Sequence, residues 1–300
     1  MAVHHKQQHC NGEAFEAVYA EDTMRWIRED FPKLNIEGIT YLDNAATALY
    51  SKSQMDRVHH DLTNNIYCNP HTTGNFGKIR DVHEDVREMR HQILRYFNTT
   101  DQHYKVIFTS GATASCKMVA DCFRWTNNSN FVYLDECHTS VVGMREIAVA
   151  SYQAVREEDI DFELFLNTTA SNNIFAFPAM SNFCGKKFPV AQWIQMSKSS
   201  GRLENNSWYV LLDAAAYVAT NKLDLQEVQP DFICLSFYKI FGYPTGIGAL
   251  LVSCSAFDVL EKKYFGGGTV DMNLVRQKTH APKSSSMEGL IKSYITCTNS

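Results

Sequence analysis

The chain has 300 residues, a formal net charge of −5 at pH 7 and a pI near 6.1, and 45% of its residues are hydrophobic. This length and composition predict an ordered globular protein with one large α/β domain or two smaller ones. The 28 lysines and arginines are scattered along the chain, which argues against nucleic acid or an anionic membrane surface as the main partner.

The cysteines and the start of the chain bear on the cellular compartment. Nine cysteines, an odd number, are widely spaced, with no CxxC pair and no zinc-ligand spacing, a pattern typical of reduced cytosolic thiols. Residues 1–10 lack the apolar core of a signal peptide, and no apolar run reaches the length of a membrane span. We therefore expect a cytoplasmic protein without a metal site and without membrane contact.

The first part of the chain is predicted to be mainly helical. Apolar residues at helical spacing predict a helix within residues 13–31 that ends at Pro32, and a short strand is predicted over residues 39–42. Residues 43–47 are small and polar, so their backbone can approach another group closely, although an ordinary turn with a helix cap is the alternative. A further helix is predicted over residues 52–66.

A predicted anion site follows the next strand. A long amphipathic helix over residues 77–98 precedes a strand over residues 104–108, and residues 109–113 form a small-residue turn that opens a helix over residues 114–125. Such a turn presents free backbone N–H groups and the positive end of a helix dipole. Because the GxGxxG and GxxxxGK[ST] patterns are absent here, we predict that the turn binds a small phosphate.

Polar residues follow two later strands. The strand over residues 131–134 leads to His138, at the end of the strand where ligands bind in open parallel sheets. A capping or exposed loop histidine is the alternative. Apolar strands are also predicted over residues 164–166 and 174–177, and the second of these leads to Asn182.

Asp213 ends an uninterrupted apolar strand over residues 208–212. A carboxylate on a buried strand end needs a partner because burying it unpaired is costly. The partner is either a structural hydrogen bond or a bound cation.

Lys239 lies between apolar strands predicted over residues 232–235 and 247–252, with Gly242 and Pro244 breaking the chain between them. A partly desolvated lysine at a strand end offers a neutral amine, the usual nucleophile for a Schiff base. The alternative is a lysine that snorkels out of a hydrophobic edge.

The alternation of strands and helices from residue 104 to 253 predicts a mainly parallel sheet with crossovers on both faces. The polar groups that follow the strands should then meet at one edge of the sheet, namely Thr113, His138, Asn182, Asp213 and Lys239. This set matches a ligand with a phosphate, a flat aromatic ring, a basic ring nitrogen and an aldehyde. Pyridoxal 5'-phosphate has all four features.

Motifs across residues 20–270 resemble those of a known family, the class V aminotransferases, and within it the cysteine desulfurase group. The shared motifs are YLDNAAT (41–47), NP (69–70), FTSGAT (108–113), SN with Gly185 (181–182), Asp213 and SFYKIFG (236–242). Three longer stretches are similar to the N-terminal domain of the eukaryotic molybdenum cofactor sulfurases: SFYKIFGYPTGIGALLV (236–252), YFGGGT (264–269) and HTSVVGMR (138–145). The resemblance implies the type I fold of pyridoxal-phosphate-dependent transferases, an α/β fold with a mainly parallel seven-stranded sheet flanked by helices, and a small C-terminal domain that is largely missing.

The resemblance also implies a role for each cofactor-binding residue. Lys239 is the implied catalytic residue, which binds pyridoxal 5'-phosphate as a Schiff base and carries protons. Asp213 is implied on the ring nitrogen, His138 on the ring face and Asn182 on the ring hydroxyl. The remaining cofactor-binding residues, at and around the phosphate, are Gly111, Ala112, Thr113, Ser236 and Tyr238.

Two positions depart from bacterial cysteine desulfurases in a way that fits the molybdenum branch. Tyr238 stands where those enzymes have a histidine before the lysine, and Ala216 stands where they have a glutamine three residues after the aspartate. The family reaction takes sulfur from L-cysteine, leaves L-alanine and holds the sulfur as a persulfide on an enzyme cysteine. We therefore expect L-cysteine as the substrate, the molybdenum cofactor (molybdopterin) as the sulfur acceptor, and a homodimer.

We predict an N-terminal helical arm over residues 1–35, a cofactor-binding large domain over residues 36–270 and a polar, poorly ordered tail over residues 271–300. The family continues into a small domain with a substrate-binding arginine and a persulfide cysteine. The tail shows no such domain, and Cys297 near its end is interpreted as incidental. We therefore expect a truncated chain that binds the cofactor at best weakly. The alternatives are a non-catalytic short form that pairs with partner subunits, and a plain cysteine desulfurase or selenocysteine lyase.

Overall fold

The structure, a computed structural model, describes residues 20–67, 81–148, 151–162, 172–200, 207–261, 264 and 270–282. Several predictions therefore lie outside the described residues. They are the loop at 68–71 with its NP motif, the strand at 164–166, the glycine run at 266–268, Cys297 and the ends of two helices at 13–19 and 77–80.

The core of the fold is a seven-stranded sheet in the order β1-β7-β6-β5-β4-β2-β3. Neighbouring strands are parallel except that β7 is antiparallel to both β1 and β6. This confirms the predicted mainly parallel seven-stranded sheet. The strands are β1 (Tyr104–Thr109), β2 (Asn130–Leu134), β3 (Ser151–Val155), β4 (Asn172–Pro178), β5 (Ser207–Asp213), β6 (Phe232–Ser236) and β7 (Gly248–Ser253).

The central strands β6 and β7 are buried along their whole length. Successive side chains of a strand point to opposite faces, and those of β6 do so here. Phe232 and Cys234 pack into the hydrophobic cluster on one side of the sheet, whereas Ile233 and Leu235 pack into the cluster on the other. An uninterrupted apolar run therefore marks a strand that is covered on both faces.

The direction of β7 follows from the short connection that precedes it. Residues 237–247 join β6 to β7, and a parallel pair would need a longer crossover, usually through a full helix. The chain therefore turns back beside β6. Lys239 lies in this connection, so both ends of its loop are fixed in the most buried part of the sheet.

Helices flank the sheet. Four of them, at residues 21–30, 52–64, 82–96 and 112–122, agree with predicted helices to within three residues in the part of the chain that the structure describes, whereas the short helix that carries Lys239 was not predicted. The helices are α1 (Glu21–Asp30), α2 (Lys52–Asn64), α3 (Val82–Tyr96), α4 (Ala112–Cys122), α5 (Thr139–Val142), α6 (Val190–Ser200) and α7 (Tyr238–Phe241). Short 3-10 turns are present at Pro32–Asn35, Gly143–Glu146, Glu157–Asp159 and Cys254–Val259.

The predicted strand over residues 39–42 is wrong, because these residues belong to no strand. Ile39 and Leu42 are 57% and 85% exposed, so no sheet neighbour covers the apolar pair. A strand needs backbone partners on at least one side, and the alternation of residue types does not reveal whether an edge is available.

Two strand regions were not predicted. Strand β3 pairs in parallel with β2 at the edge of the sheet, and its first four residues are exposed. It follows a four-residue helix and a 3-10 turn. Strands β8 (Val270–Leu274) and β9 (Thr279–Pro282) form a separate antiparallel hairpin, although sequence analysis assigned most of these residues to the polar tail.

Nothing in the part of the chain that the structure describes resembles a membrane span, since no helix there is both long enough and apolar enough.

Candidate active site

A cleft lies at the carboxyl ends of the parallel strands. Its walls come from the segments that follow β1, β2, β4, β5 and β6, as expected for a binding site in an open parallel sheet. The lining residues are Ala112, Thr113, His138, Ser140, Pro178, Met180, Asn182, Asp213, Ala215, Ala216, Ser236, Tyr238 and Lys239.

One end of the cleft is the N-terminus of α4. Gly111 caps the helix with a φ of 140°, and the N–H of Ala112 donates to Ser236 Oγ over 2.9 Å. The first N–H groups of a helix have no intrahelical partner and lie at the positive end of its dipole. This end of the cleft is therefore suited to a phosphate.

Gly248 makes this geometry possible. A Cβ at this position would lie 2.2 Å from the carbonyl oxygen of Leu235 and 2.6 Å from the Cα of Gly111. Both neighbours are backbone atoms and cannot move aside cheaply. The absence of a side chain at Gly248 therefore lets β6, β7 and the start of α4 come together.

A chain of hydrogen bonds joins Thr113 to His138. Ser140 Oγ lies 2.7 Å from Thr113 Oγ1 and 2.7 Å from His138 Nδ1, and the backbone N–H of Ser140 donates to the same Nδ1 over 3.1 Å. His138 thus caps α5 with its side chain. Because Nδ1 accepts a backbone hydrogen bond, the neutral ring carries its proton on Nε2. Both alternatives raised for His138 describe it: it caps a helix and it lines the cleft.

Asp213 is the buried carboxylate of the site, with 8% of its surface exposed. Its Oδ1 accepts the backbone N–H of Ala215 over 3.0 Å. Burial raises the pKa of Asp213, whereas the Ala215 hydrogen bond and the nearby charges of Lys239 and His138 lower it. Of the two partners that the sequence left open, the structural hydrogen bond is present, and a positive charge in the cleft would further stabilise the ionised carboxylate.

Lys239 lies in the one-turn helix α7, just beyond the end of β6, and is half-buried. The prediction placed it at a strand end, and the structure places it three residues after that end. Tyr238 lines the same cleft, as does Ala216. The two positions that depart from the bacterial enzymes therefore both face the site.

Asn182 reaches the cleft from the turn after β4. Ser181 Oγ accepts the backbone N–H groups of Phe183 and Cys184 at 3.3 and 3.4 Å, and the N–H of Gly185 donates to the carbonyl of Ser181. This turn fixes the backbone around Asn182, whose side chain is otherwise exposed.

Of the residues predicted for the site, all but Gly111 line the cleft, and Gly111 lies beside it as the cap of α4. Sequence analysis did not assign Ser140, Pro178, Met180 or Ala215 to the site. The HTSVVGMR stretch contained Ser140, and its position two residues after His138 is the spacing of a side-chain helix cap. No signal in the sequence pointed to Pro178 or Met180.

The thiol of Cys137, one residue before His138, is poorly suited to nucleophilic chemistry. Cys137 is packed against the core, and its Sγ lies 3.6 Å from the carbonyl oxygen of Ala176. Burial raises the pKa of Cys137 well above its ordinary value, and the charge of Asp213 acts in the same direction. The thiol therefore stays protonated, whereas a persulfide-forming cysteine must be a thiolate.

These residues fit pyridoxal 5'-phosphate. The amine of Lys239 and the buried carboxylate of Asp213 line one small cleft and interact electrostatically, and the start of α4 lies at the same cleft. An aldehyde, a basic ring nitrogen and a phosphate each find a chemically matched group. Among the described residues, no group of three or more His, Cys, Asp or Glu side chains is placed to hold a metal ion.

Comparison with known proteins assigns the chain to a family. The sequence model described as "Aminotransferase class-V" matches residues 40–290. The chain belongs to the class-V aminotransferase family. The match includes all seven strands of the sheet and every residue of the cleft.

Among class-V relatives, the chain is similar to molybdenum cofactor sulfurases. It is 42% identical to the human "Molybdenum cofactor sulfurase" over 287 residues, which are 89% of this chain and 32% of the human protein. It is 44% identical to the Bombyx mori protein of the same name over 289 residues, 88% of this chain and 34% of that protein. The chain thus spans about a third of the length of these curated relatives.

Solved structures support the fold. A cysteine desulfurase from Thermococcus onnurineus superposes with a TM-score of 0.67 at 19% identity, over 94% of this chain and 72% of that one. The cysteine desulfurase CsdA from Escherichia coli gives a TM-score of 0.65 at 21% identity, over 95% of this chain and 73% of that one.

Proposed function

We propose that this chain is a pyridoxal-phosphate-dependent sulfurtransferase domain of the molybdenum cofactor sulfurase type. It would take sulfur from L-cysteine, release L-alanine and supply the sulfur to the molybdenum cofactor. The observation that supports this most strongly is that Lys239 and the buried Asp213 line the same cleft as the N-terminus of α4. The names of the relatives that share about 40% identity supply the substrate class and the acceptor.

When bound, pyridoxal 5'-phosphate supplies a ring that withdraws electrons from the bonds of an attached amino acid. Lys239 would hold the cofactor through Nζ and move a proton at that atom during turnover. Asp213 would keep a proton on the ring nitrogen, since its ionised form gains a partner there. The cost of burying the Asp213 charge is then offset by the charge that it faces.

The other cleft residues would orient the cofactor. Thr113 and Ser236, with the backbone at the start of α4, would bind the phosphate. His138 would cover one face of the ring, and its orientation is fixed by the bond from the Ser140 N–H. Asn182 would donate to the ring hydroxyl. Tyr238 would form the wall of the cleft beside the amine of Lys239.

Three further features belong to the proposal. We infer a homodimer, because large apolar side chains such as Trp26, Leu62 and Ile66 are 59 to 70% exposed in the N-terminal segment. We infer a cytoplasmic location, because the described cysteines are free thiols. The domain boundaries near residues 35 and 270 also stay predictions.

Reconstitution tests the proposal. The purified chain, incubated with pyridoxal 5'-phosphate and freed of excess cofactor, should show the visible absorption band of a lysine-bound cofactor. Lys239→Ala should abolish that band. Lys117→Ala is the matched control, because Lys117 lies on the exposed side of α4 and pairs with Asp121. An equally strong band in the Lys239→Ala variant would show that Lys239 is not the lysine that binds the cofactor.

Sulfur chemistry is measured separately. The reconstituted chain, or a longer product that contains it, should release L-alanine from L-cysteine, and sulfuration of desulfo-molybdenum cofactor should accompany the release. Alanine release with sulfur transfer that does not depend on that acceptor would instead favour a plain cysteine desulfurase.

A further inference from the structure

The helix that carries Lys239 is too short to be stable on its own. Helix α7 has four residues, none of them fully buried, and a single helical turn is unstable without outside contacts. Within the connection, the N–H of Gly242 donates to the carbonyl of Tyr238 over 3.0 Å, and the N–H of Phe237 donates to that of Ile247 over 3.0 Å. Further support for the turn comes from elsewhere in the chain.

That support comes from residues 48–54, which we call the N-terminal strap. The N–H of Ala48 donates to the carbonyl of Tyr238 over 3.2 Å, and Gln54 Nε2 donates to the carbonyl of Tyr243 over 2.7 Å. The rings of Tyr50 and Tyr243 pack edge to face with centroids 5.9 Å apart. The strap thus contacts the backbone on both sides of Lys239, about 190 residues away in sequence.

Gly242 lets the strap approach this closely. A Cβ there would lie 2.4 Å from the carbonyl oxygen of Ala48, 2.8 Å from the carbonyl carbon of Leu49 and 2.8 Å from the backbone nitrogen of Tyr50. These are backbone atoms, so either the strap or α7 would have to move. No side chain larger than a hydrogen fits between the two segments.

The other described contacts of the strap come from an N-terminal helix and turn that have no buried residue themselves. The N–H and Oγ of Ser53 donate to the Asp30 carboxylate over 2.7 and 2.8 Å, and Lys33 Nζ lies 3.3 Å from the ring centroid of Tyr50. Helix α2 begins within the strap, with the Ser51 side chain as cap, and has no buried residue. Segments with few buried apolar contacts open at low free energy. The contacts with α7 are therefore a substantial part of what orders the strap and the helix that follows it.

We propose that Gly242 and the strap are positioning elements for Lys239, so that the order of residues 48–64 and the placement of the lysine are coupled. Coupling between two sites is reciprocal. Loosening the strap should displace Lys239, and fixing Lys239 should protect the strap. The purpose of this placement rests on the proposed function, but the coupling itself does not.

A pair of glycines in one loop gives a matched test. Gly242 and Gly246 have nearly equal positive φ values of 74° and 78°, so alanine at either site incurs the backbone strain of a positive φ. A Cβ at Gly246 meets nothing within 4 Å. The difference between Gly242→Ala and Gly246→Ala therefore isolates the contact with the strap.

Amide hydrogen exchange on the full chain without cofactor is the first measurement. We expect amides of residues 48–64 to exchange roughly three- to tenfold faster in Gly242→Ala than in Gly246→Ala, as expected when a hydrogen bond and its packing are lost. Gln54→Ala, which removes only the bond to Tyr243, should shift exchange in the same direction. Equal exchange of residues 48–64 in wild type, Gly242→Ala and Gln54→Ala would overturn the proposal.

Addition of pyridoxal 5'-phosphate is the second measurement. Protection of residues 48–64 should rise in the wild type and in Gly246→Ala, and should rise less in Gly242→Ala. If the cofactor does not bind the wild type, the proposed function is wrong. The exchange of residues 48–64 without cofactor still shows whether the strap and the Lys239 loop are coupled. Binding that leaves residues 48–64 unchanged in the wild type would contradict the reciprocity.

Discussion

The central sheet and the N-terminal segment, residues 20–67, are stabilised differently. Every residue of β6 and β7 is buried, whereas α1 and α2 contain no buried residue. The sheet is therefore held by apolar packing on both faces. The N-terminal segment is attached mainly through backbone and polar contacts near Lys239. Global stability and the geometry of the site accordingly depend on different parts of the molecule.

The largest expected effect is the loss of stability when a buried side chain of the central sheet is truncated. Phe177 on β4 is fully buried, and its ring packs edge to face on Trp193 at 5.1 Å. Phe177→Ala should lower the free energy of unfolding by about 3–5 kcal/mol, measured by chemical denaturation. Leu42→Ala is the control, since Leu42 is 85% exposed and its loss should change stability by no more than about 0.5 kcal/mol. Similar losses for both would mean that the segment is packed as tightly as the sheet.

Gly248 tests the junction between the sheet and the site. Gly248→Ala inserts a methyl group 2.2 Å from the Leu235 carbonyl oxygen, and overpacking of this kind should cost about 1–3 kcal/mol. It should also weaken binding of pyridoxal 5'-phosphate, because the start of α4 must shift. Gly143→Ala is the control, because a Cβ there meets nothing within 4 Å. An unchanged cofactor affinity in Gly248→Ala would show that the start of α4 is not the phosphate site.

Ser236 tests the phosphate site at the start of α4 with a smaller change in the side chain. Ser236→Ala removes the Oγ that accepts the N–H of Ala112. We expect a loss of about 0.5–1.5 kcal/mol in unfolding free energy, with a weaker phosphate site. Thermal unfolding with and without inorganic phosphate measures both effects. If phosphate stabilises Ser236→Ala and wild type equally, the hydroxyl has no part in anion binding.

The smallest effect concerns Asp213 and depends on pH. Because burial raises its pKa above the ordinary value of 3.8, the folded chain holds this proton to higher pH than the unfolded chain does. The contribution of Asp213 to the free energy of unfolding is therefore fully present below pH 3.8. It is lost as the pH rises through the pKa that Asp213 has in the folded chain. Without cofactor, Asp213→Asn should be more stable than wild type near neutral pH, and the difference should shrink as the pH falls toward 3.8.

Thermal unfolding across this pH range measures the Asp213 effect. A constant difference between Asp213→Asn and wild type would contradict the raised pKa. With pyridoxal 5'-phosphate present the order should reverse, because an amide cannot hold a proton on the ring nitrogen as a carboxylate does.

The sequence predicted the sheet well where burial dominates. The apolar runs at residues 232–235 and 247–252 correspond to β6 and β7, because strands covered on both faces leave a continuous apolar signal. Strand β3 was missed because it lies at an edge with polar, exposed residues. The strand at residues 39–42 was predicted wrongly because a short apolar stretch does not reveal whether a neighbouring strand is available to pair with it.

For the site, sequence analysis found the residues that follow strand ends but not the contacts that fix them. Asp213 and Lys239 were found because a charged group beside a buried strand is conspicuous. The strap was not connected to Lys239, because a backbone contact such as Ala48 to Tyr238 leaves no mark in residue type. Only the small residues at 43–47 and Gly242 hinted at a close approach.

The account depends most on the claim that Lys239 is the amine that binds the cofactor. The most direct test is to reconstitute the full chain with pyridoxal 5'-phosphate, reduce it with borohydride and locate the labelled lysine by peptide mass spectrometry. We predict a stoichiometric label on the peptide that contains Lys239, and none in Lys239→Ala. A label spread over exposed lysines such as Lys117 and Lys186, with Lys239 unmodified, would contradict the account.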